Sequence, residues 1–318
     1  MFYIGNIKIE HRVVAAPMAG ITDLPYRLLL KDFGAALLCT ELVSAKAIHY
    51  KNENTKELTE IDNREHPIAL QLFGSEPEIM AEAAKEYEDR FDIIDVNMGC
   101  PVPKVVNNNE GSALLKDVKL ASQIVSTLVK SVKIPVTVKI RIGFDDKTKN
   151  YLDFSKAMEE AGASCITVHG RTRKQMYSGE CDLEAIRIIK ENVKIPIIGN
   201  GNIFTIYDAK EMIEKTNCDA IALARGLKGN PWFVRECIEY IENDRIIDRP
   251  TREEIKSIIL KHIDMEVKFR GEERAINELK HHICWYLKDM RGNKNARTLI
   301  NLSSNREEIE KIINEFFY

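Results

Sequence analysis

The chain has 318 residues, 44% of them hydrophobic and 30% charged, with a formal net charge of −3 at pH 7, the balance of a globular protein with room for a substantial core. That charge excludes non-specific polyanion binding through the overall field of the molecule and leaves open a local basic face. No apolar run reaches the ~18 residues that suggest a membrane span, and MFYIGNIKIEHR at the start lacks a basic-then-apolar signal pattern, so a cytoplasmic protein is expected.

In chain order, short apolar runs rich in β-formers recur: RVVAAPM (12–18), ALLCTEL (36–42), PIALQLFG (67–74), IIDVNMG (93–99), PVTVKIRIG (135–143), CITVHGR (165–171), PIIGNG (196–201) and AIALARG (220–226). Their near-continuous apolar character suits parallel strands covered on both faces. Helical patterns lie between most of them. Residues 76–90 follow Ser75, an expected N-cap. Residues 112–132 carry Leu114, Leu115, Val118, Ala121, Ile124, Val125 and Leu128 at helical spacing. Residues 152–162 end in glycine, and residues 205–217 complete the unit before the last strand. Eight β/α units predict a (β/α)8 TIM barrel over residues 1–244. An open doubly wound sheet is the alternative, but the first turn, APMAGITD, lacks the GxGxxG of that architecture.

After PWFVRECIEYIEND (231–244) the strand pattern stops. DRIIDRPTREE (244–254) reads as a linker leading into a capped helix at Thr251. Residues 245–318 then read as a small all-helical C-terminal domain, with 15 Lys and Arg against 13 Asp and Glu. Cations are densest over 270–297: Arg270, Arg274, Lys280, Lys288, Arg291, Lys294 and Arg297, with His281 and His282 among them. A solvated helical face and a nucleic-acid contact are both open readings of that window. The seven cysteines are dispersed, without a CxxC pair, which fits reduced, mostly core-packed thiols.

A barrel of this kind keeps its active site at the C-terminal ends of the strands. There the sequence places Pro17-Met18-Ala19, Glu41, Gln71, Asn97 with Cys100, Lys139 with Arg141, His169 with Arg171, Asn200-Gly201-Asn202, and Arg225-Gly226. GNGN (199–202) and ARG (224–226), after strands seven and eight, supply small residues and a guanidinium suited to a phosphate; ordinary turn glycines are the plainer reading. Lys139 and Arg141 share one face of strand five, and buried cations require an anionic partner, either a ligand or another strand. A lone His169 is usually structural; beside these features it becomes a site candidate. No HxH, HxxxH or carboxylate cluster suggests a metal, so none is expected. Cys100, in a GCP loop, is a core residue or a proton donor. As a donor its thiol must stay protonated, so a strongly lowered pKa would count against that role.

APMAGITD (16–23), QLFG (71–74), DVNMGCPVPK (95–104), GSALL (111–115), VKIRIG (138–143), HGRTR (169–173), GNGNI (199–203) and ARGLKGNPW (224–232) together resemble the tRNA-dihydrouridine synthases, bacterial B-type, over nearly the whole chain. The resemblance implies an FMN-binding barrel with a helical tRNA-binding domain. It also implies NADPH (or NADH) as reductant, hydride passing from flavin N5 to uracil C6, and Cys100 as the proton donor to C5. Pro17, Met18 and Ala19 would line the flavin ring and Gln71 its polar edge. Lys139 would sit near the N1/C2 side, and His169 would also touch the cofactor. Asn200, Gly201, Asn202, Ala224 and Arg225 would hold its phosphate end. Asn97, Arg141 and Arg171 would face the substrate base. KHHICWY (280–286) resembles the family's R-K-H-x-x-W-Y, with lysine for arginine at 280 and histidine for lysine at 281, which points to Lys280 and His282 as tRNA contacts. A monomer is expected. A flavin barrel acting on a free pyrimidine such as dihydroorotate, and a non-catalytic RNA-binding scaffold, are the competing readings.

Overall fold

Each of the eight apolar runs becomes a strand. The structure, a computed structural model, describes residues 1–318, the side chain of Asn54 excepted. A hairpin of β1 (Phe2–Ile4) and β2 (Ile7–Ile9) comes first. Then follow β3 (Val13–Ala15), β4 (Leu38–Cys39), the short β5 (Val43–Ser44), β6 (Ile68–Phe73), β7 (Ile93–Met98), β8 (Val136–Arg141), β9 (Ile166–His169), β10 (Ile197–Asn200) and β11 (Ala220–Leu223). The sheet runs β3-β11-β10-β9-β8-β7-β6-β4, all parallel, with β5 beside the end of β6. Ala15 N donates to Leu37 O at 3.0 Å and Ala36 N to Val13 O at 3.0 Å. These bonds bridge β3 and β4 and complete the (β/α)8 barrel.

Two apolar layers follow from the period-two alternation of the strands. Outward residues such as Val96, Val138 and Ile140 pack under the surrounding helices. Inward residues Val14, Leu37, Cys39, Ala69, Ile93, Cys165, Ile198 and Ala220 form a second cluster with Ile4 and Ile9 of the hairpin. The hairpin therefore closes the barrel at the N-terminal ends of its strands: a side chain at its Gly5 would meet Pro135, which precedes β8. Above this floor the inward positions turn polar, and strand register sets Gln71, Asp95 and Thr137 side by side, with Asn97 beside Lys139 one step higher.

Four helical elements depart from the sequence reading. Ser75 does not cap the following helix, which runs Pro77–Tyr87 with Glu76 at its N-cap; the Ser75 hydroxyl turns to Asn108 O. The helix expected over 112–132 is two pieces, a 3-10 segment Gly111–Lys116 and an α-helix Val118–Ser131. Asp117 breaks the run because its carboxylate caps Leu120 N at 2.9 Å. The barrel helices Leu24–Asp32 and Leu183–Asn192, not singled out in the sequence, carry aspartate caps at Asp23 and Asp182.

Beyond the last barrel helix, Phe233–Asn243, the chain passes without regular structure to the helix Arg252–Arg270, capped by a Thr251/Glu254 capping box. Three more helices, Glu272–Tyr286, Asn293–Leu302 and Arg306–Phe317, complete the C-terminal part. Their apolar residues Ile259, Ile263, Ile276, Leu279 and Ile283 join the same cluster as the barrel's outer layer, so the helices are packed onto the barrel. Gly229, at φ +61°, lies so close to Trp285 and Tyr286 that an added Cβ would stand 2.3 Å from the Trp285 carbonyl carbon.

Candidate active site

The C-terminal ends of the strands surround a cavity of about 470 Å³. Four cations line it, Lys139, Arg141, Arg225 and Lys228, and no aspartate or glutamate does among the described residues. Ala16, Pro17, Met18 and Ala19 form one wall. Gln71, Asn97 and Cys100 lie on another side, and His169, Asn200, Gly201, Asn202, Ala224 and Arg225 on a third. The site residues expected from the barrel strands are thus gathered around one space, except Arg171, Gly226 and Glu41, whose carboxylate accepts from Gly20 N at 2.6 Å.

A chain of side-chain bonds forms the floor. Thr137 Oγ1 donates to Asp95 Oδ1 at 2.6 Å and Gln71 Nε2 to Asp95 Oδ2 at 2.7 Å. Asn97 Nδ2 donates to Gln71 Oε1 at 2.8 Å, and Asn97 Oδ1 accepts from Gly99 N at 3.1 Å and Cys100 N at 2.8 Å. Arg141 Nε holds Gly99 O at 2.9 Å from the other side, and its Nη1 donates to Thr172 O and Met176 O. The Cys100 loop is therefore fixed by its backbone, leaving the thiol unconstrained by these bonds. Burial pushes that thiol above its usual range, against the opposing pull of the Val102 backbone and Arg141, so it is protonated at neutral pH.

Lys139 has no ion pair among the described residues. Its Nζ donates to Asn200 Oδ1 at 3.3 Å, while Asp95, lower in the barrel, is committed to Thr137 and Gln71. Burial, reinforced by Arg141, lowers Lys139 to about 8, and burial lowers Arg141 to about 10. The strand-to-strand ion pair considered from the sequence does not form, and Lys139 lines the cavity without a carboxylate partner. Burial and the cations Lys139, Arg141, Arg171 and Arg225 hold His169 well below its ordinary value, and so neutral. Arg171 can only donate, and its Nη1 lies 3.4 Å from His169 Nε2; Nε2 is then the acceptor and Nδ1 carries the proton. Gly201, at φ +125°, packs so tightly that a Cβ would stand 2.8 Å from Cys181 Sγ and 3.0 Å from His169.

Arg171 itself does not reach the cavity. It is 1% exposed and donates to Ser178 O, Gly179 O and Asn202 Oδ1, tying the loop after β9 to the loop after β10. His282 is also inward: it is 4% exposed and packs edge-on against Tyr26 and His262, each at 4.9 Å. That leaves it little surface for a nucleic acid. Lys280 is half-buried on the same helix. Arg270 and Arg274, counted in the basic window, are occupied as well. Arg270 bonds Asp23, Glu57, Glu266 and Glu278, and Arg274 bonds Glu57 and Glu278. This knot also brings Asp23, His262 and Glu266 within 4.8 Å of one another, a grouping of distant residues that the sequence did not signal, with the Arg270 guanidinium already serving both carboxylates.

Three residues of the mouth went unread. Tyr177 reaches over it from the loop after β9, 52% exposed, with the guanidinia of Arg141 and Arg225 at 5.7 and 4.9 Å from its ring. Phe204 flanks Arg225 at 5.2 Å. Lys228 lines the cavity while its ammonium lies 4.6 Å over Trp285, on which the exposed His281 stacks. The mouth is thus continuous with the helix Glu272–Tyr286. An aromatic in HGRTRKQMY was the one available sequence signal.

A family model described as "Dihydrouridine synthase (Dus)" matches residues 13–317. The chain is 40% identical over 319 residues to a "Probable tRNA-dihydrouridine synthase" of Rickettsia bellii (strain RML369-C), covering 100% of this chain and 98% of that one. It is 39% identical over 316 residues to "tRNA-dihydrouridine synthase B" of Pasteurella multocida (strain Pm70), covering 99% and 95%. Among solved structures, histamine dehydrogenase from Rhizobium sp. 4-9 aligns with a TM-score of 0.57 at 14% identity, over 83% of this chain and 50% of that one, a likeness of fold.

Proposed function

The chain belongs to the dihydrouridine synthase family, and from that premise we propose that it reduces specific tRNA uridines to 5,6-dihydrouridine, with FMN in the barrel mouth and NADPH as reductant. The carrying observation is the mouth itself: four cations and no carboxylate around about 470 Å³, beside a thiol kept protonated by burial. These residues fit a flat phosphorylated cofactor. Ala16, Pro17, Met18 and Ala19 form the wall a ring would lie against, and Lys139 supplies positive charge in the interior. Gly201 and Ala224 leave backbone accessible near the Arg225 guanidinium, as an anion requires. When bound, FMN supplies the hydride that a uracil C6 accepts.

The protein's own residues account for the remaining work. Lys139 offsets negative charge in the barrel interior. Asn97 and Arg141 hold Gly99 and Cys100 from opposite sides, which fixes the direction from which the thiol can approach. Cys100 gives its proton to the substrate carbon and recovers one from solvent; an unperturbed or raised thiol pKa keeps that proton available at pH 7. The target base has to leave the RNA stack to enter the cavity. Lys228, Trp285 and His281 continue the mouth onto the C-terminal helices, where an RNA backbone can be met. Lys280, Lys288, Arg291, Lys294 and Arg297 form no ion pair among the described residues, unlike Arg270 and Arg274, and they are the cations left for that contact.

The test is incubation with FMN, NADPH and unmodified tRNA transcript, with free uridine and orotate in parallel, read by nucleoside mass spectrometry. A gain of two hydrogens at a tRNA uridine alone is expected. Reduction of orotate with no reaction of transcript or of native modified tRNA would replace this reading with the small-molecule one. Cys100→Ala should retain bound flavin and its reduction by NADPH while dihydrouridine formation falls by about 10²–10⁴-fold, the range for a general acid. Unchanged turnover removes Cys100 from the chemistry.

A further inference from the structure

The floor of the mouth contains two amide side chains whose orientation is fixed by the groups they meet. Asp95 accepts from Thr137 Oγ1 at 2.6 Å and from Gln71 Nε2 at 2.7 Å; burial raises its pKa and these two bonds oppose that rise by favouring the carboxylate, which only accepts. Gln71 must then turn its NH2 group to Asp95 Oδ2, at 2.7 Å. That leaves Gln71 Oε1 to accept from Asn97 Nδ2, at 2.8 Å. Asn97 is in turn left with Oδ1 pointing to the backbone N–H groups of Gly99 and Cys100, at 3.1 and 2.8 Å. Reversing either amide would set N–H against N–H at one link and carbonyl against carboxylate or carbonyl at another. An amide is indifferent to its own direction, so the sense of the chain is set at its two ends, by the acceptor-only carboxylate of Asp95, which orients Gln71, and by the donor-only N–H groups of Gly99 and Cys100, which orient Asn97. Thr137 does not dictate it, because a hydroxyl both donates and accepts.

We infer that Asp95 is a positioning residue for Cys100, acting through the directed chain Asp95–Gln71–Asn97 to hold the Gly99–Cys100 backbone. The inference deepens the reading above, since it takes Cys100 as the proton donor, but the order it imposes on the loop exists without substrate or cofactor. Asp95 is buried and its strand neighbours are the partners themselves: Gln71 and Thr137 pair with it in register on β6 and β8. It is too low in the barrel to be among the residues lining the mouth. The same geometry has a consequence for the ligand: Gln71 spends its carbonyl within the chain, so what it offers to the cavity is its second N–H, a donor.

Three variants separate this role from general support of the fold. Asp95→Ala removes the acceptor that orients Gln71, so Gln71 can reverse and Asn97 loses the carbonyl that holds its Nδ2. Asp95→Asn keeps the volume but permits either direction of Gln71, because Thr137 can accommodate both. Thr137→Val keeps the carboxylate and hence the direction. The readout independent of turnover is the alkylation rate of Cys100 by iodoacetamide, followed by peptide mass spectrometry on the purified full chain, with thermal melting as a folding check. Expected are a rate about tenfold above the parent for Asp95→Ala, the order of one net hydrogen bond lost from the loop, an intermediate rate for Asp95→Asn, and an unchanged rate for Thr137→Val. Dihydrouridine formation should follow the same order through kcat, with KM for tRNA held. Should Asp95→Ala fail to fold, Asp95→Asn alone decides, by an alkylation rate above the parent or equal to it. Equal Cys100 reactivity in parent and Asp95 variants overturns the inference. Failure of the parent to reduce tRNA would overturn the functional reading instead, leaving the alkylation comparison intact.

Discussion

Burial and the neighbouring Arg141 bring the Lys139 ammonium to about 8, so its charge is full at pH 7 and mostly gone by pH 9. Arg141, at about 10, stays charged across that interval. Binding of an anion favours the charged lysine, and affinity should therefore fall as pH rises through 8. FMN titrated by fluorescence quenching should bind up to about tenfold more weakly at pH 9 than at pH 7, the order of one charge-assisted hydrogen bond. Lys139→Met should be weaker at pH 7 and nearly flat with pH; an equally steep profile in that variant would place the titrating group elsewhere. At this scale the sequence was readable wherever chemistry and periodicity coincide on one strand. Lys139 and Arg141 alternate with apolar residues, and both line the cavity. Arg171 fits the same rule by spacing, yet it lies past the end of β9, where the chain has turned and the strand alternation no longer applies. Tyr177 and Lys228 reach the mouth from loops, whose path no periodicity encodes.

The barrel strands were legible because a parallel strand buried on both faces leaves an almost uninterrupted apolar run, and neighbouring glycines and prolines delimit it. The terminal hairpin was not, since each of its strands has three residues and only the Gly5-Asn6 pair marks the turn. Asp117 divides what looked like one helix, a case of a side chain competing for the backbone within a helical pattern. The contact between barrel and C-terminal helices could not be read either, because Gly229 and Trp285 are far apart in sequence and meet only in the fold. Gly229 has a left-handed backbone and no space for a methyl group. Gly229→Ala should cost about 2–4 kcal/mol from overpacking and backbone strain together. Thermal unfolding should show that loss, and limited proteolysis should cut earlier around residues 245–250. A melt matching the parent would mean that the helix Glu272–Tyr286 can shift to make room.

Across the whole molecule, docking of the C-terminal helices depends on a knot of ionisable groups: Asp23, Tyr26 and Glu57 from the barrel, and His262, Glu266, Arg270, Glu278, His282 and Tyr286 from the helices. Burial holds His262 down to about 4 and His282 to about 3. An unfolded histidine takes a proton near pH 6.5, so the stabilisation from these two is full above pH 6.5 and is lost as pH falls toward 4 and 3. Burial and Glu266 raise Asp23 from 3.8 to about 6. Its contribution has the opposite sense, full below 3.8 and lost as pH rises through 6. Burial also raises Glu266 from 4.5, in the sense of Asp23 but by less, so the two imidazoles outweigh the carboxyls and stability falls on acidification from 7 to 5. The melting temperature should be roughly 5 °C lower at pH 5 than at pH 7, and His282→Gln should shrink that difference; an equal drop in the variant would exclude His282 as a contributor. The hairpin that seals the barrel floor has a different kind of consequence. A chamber with one door cannot pass reactants through in single file. On the proposed reading the nicotinamide and the uracil must both come and go by the same opening, so the protein works in two shifts, charged by one visitor and discharged by the next, and each must clear the doorway before the other can use it.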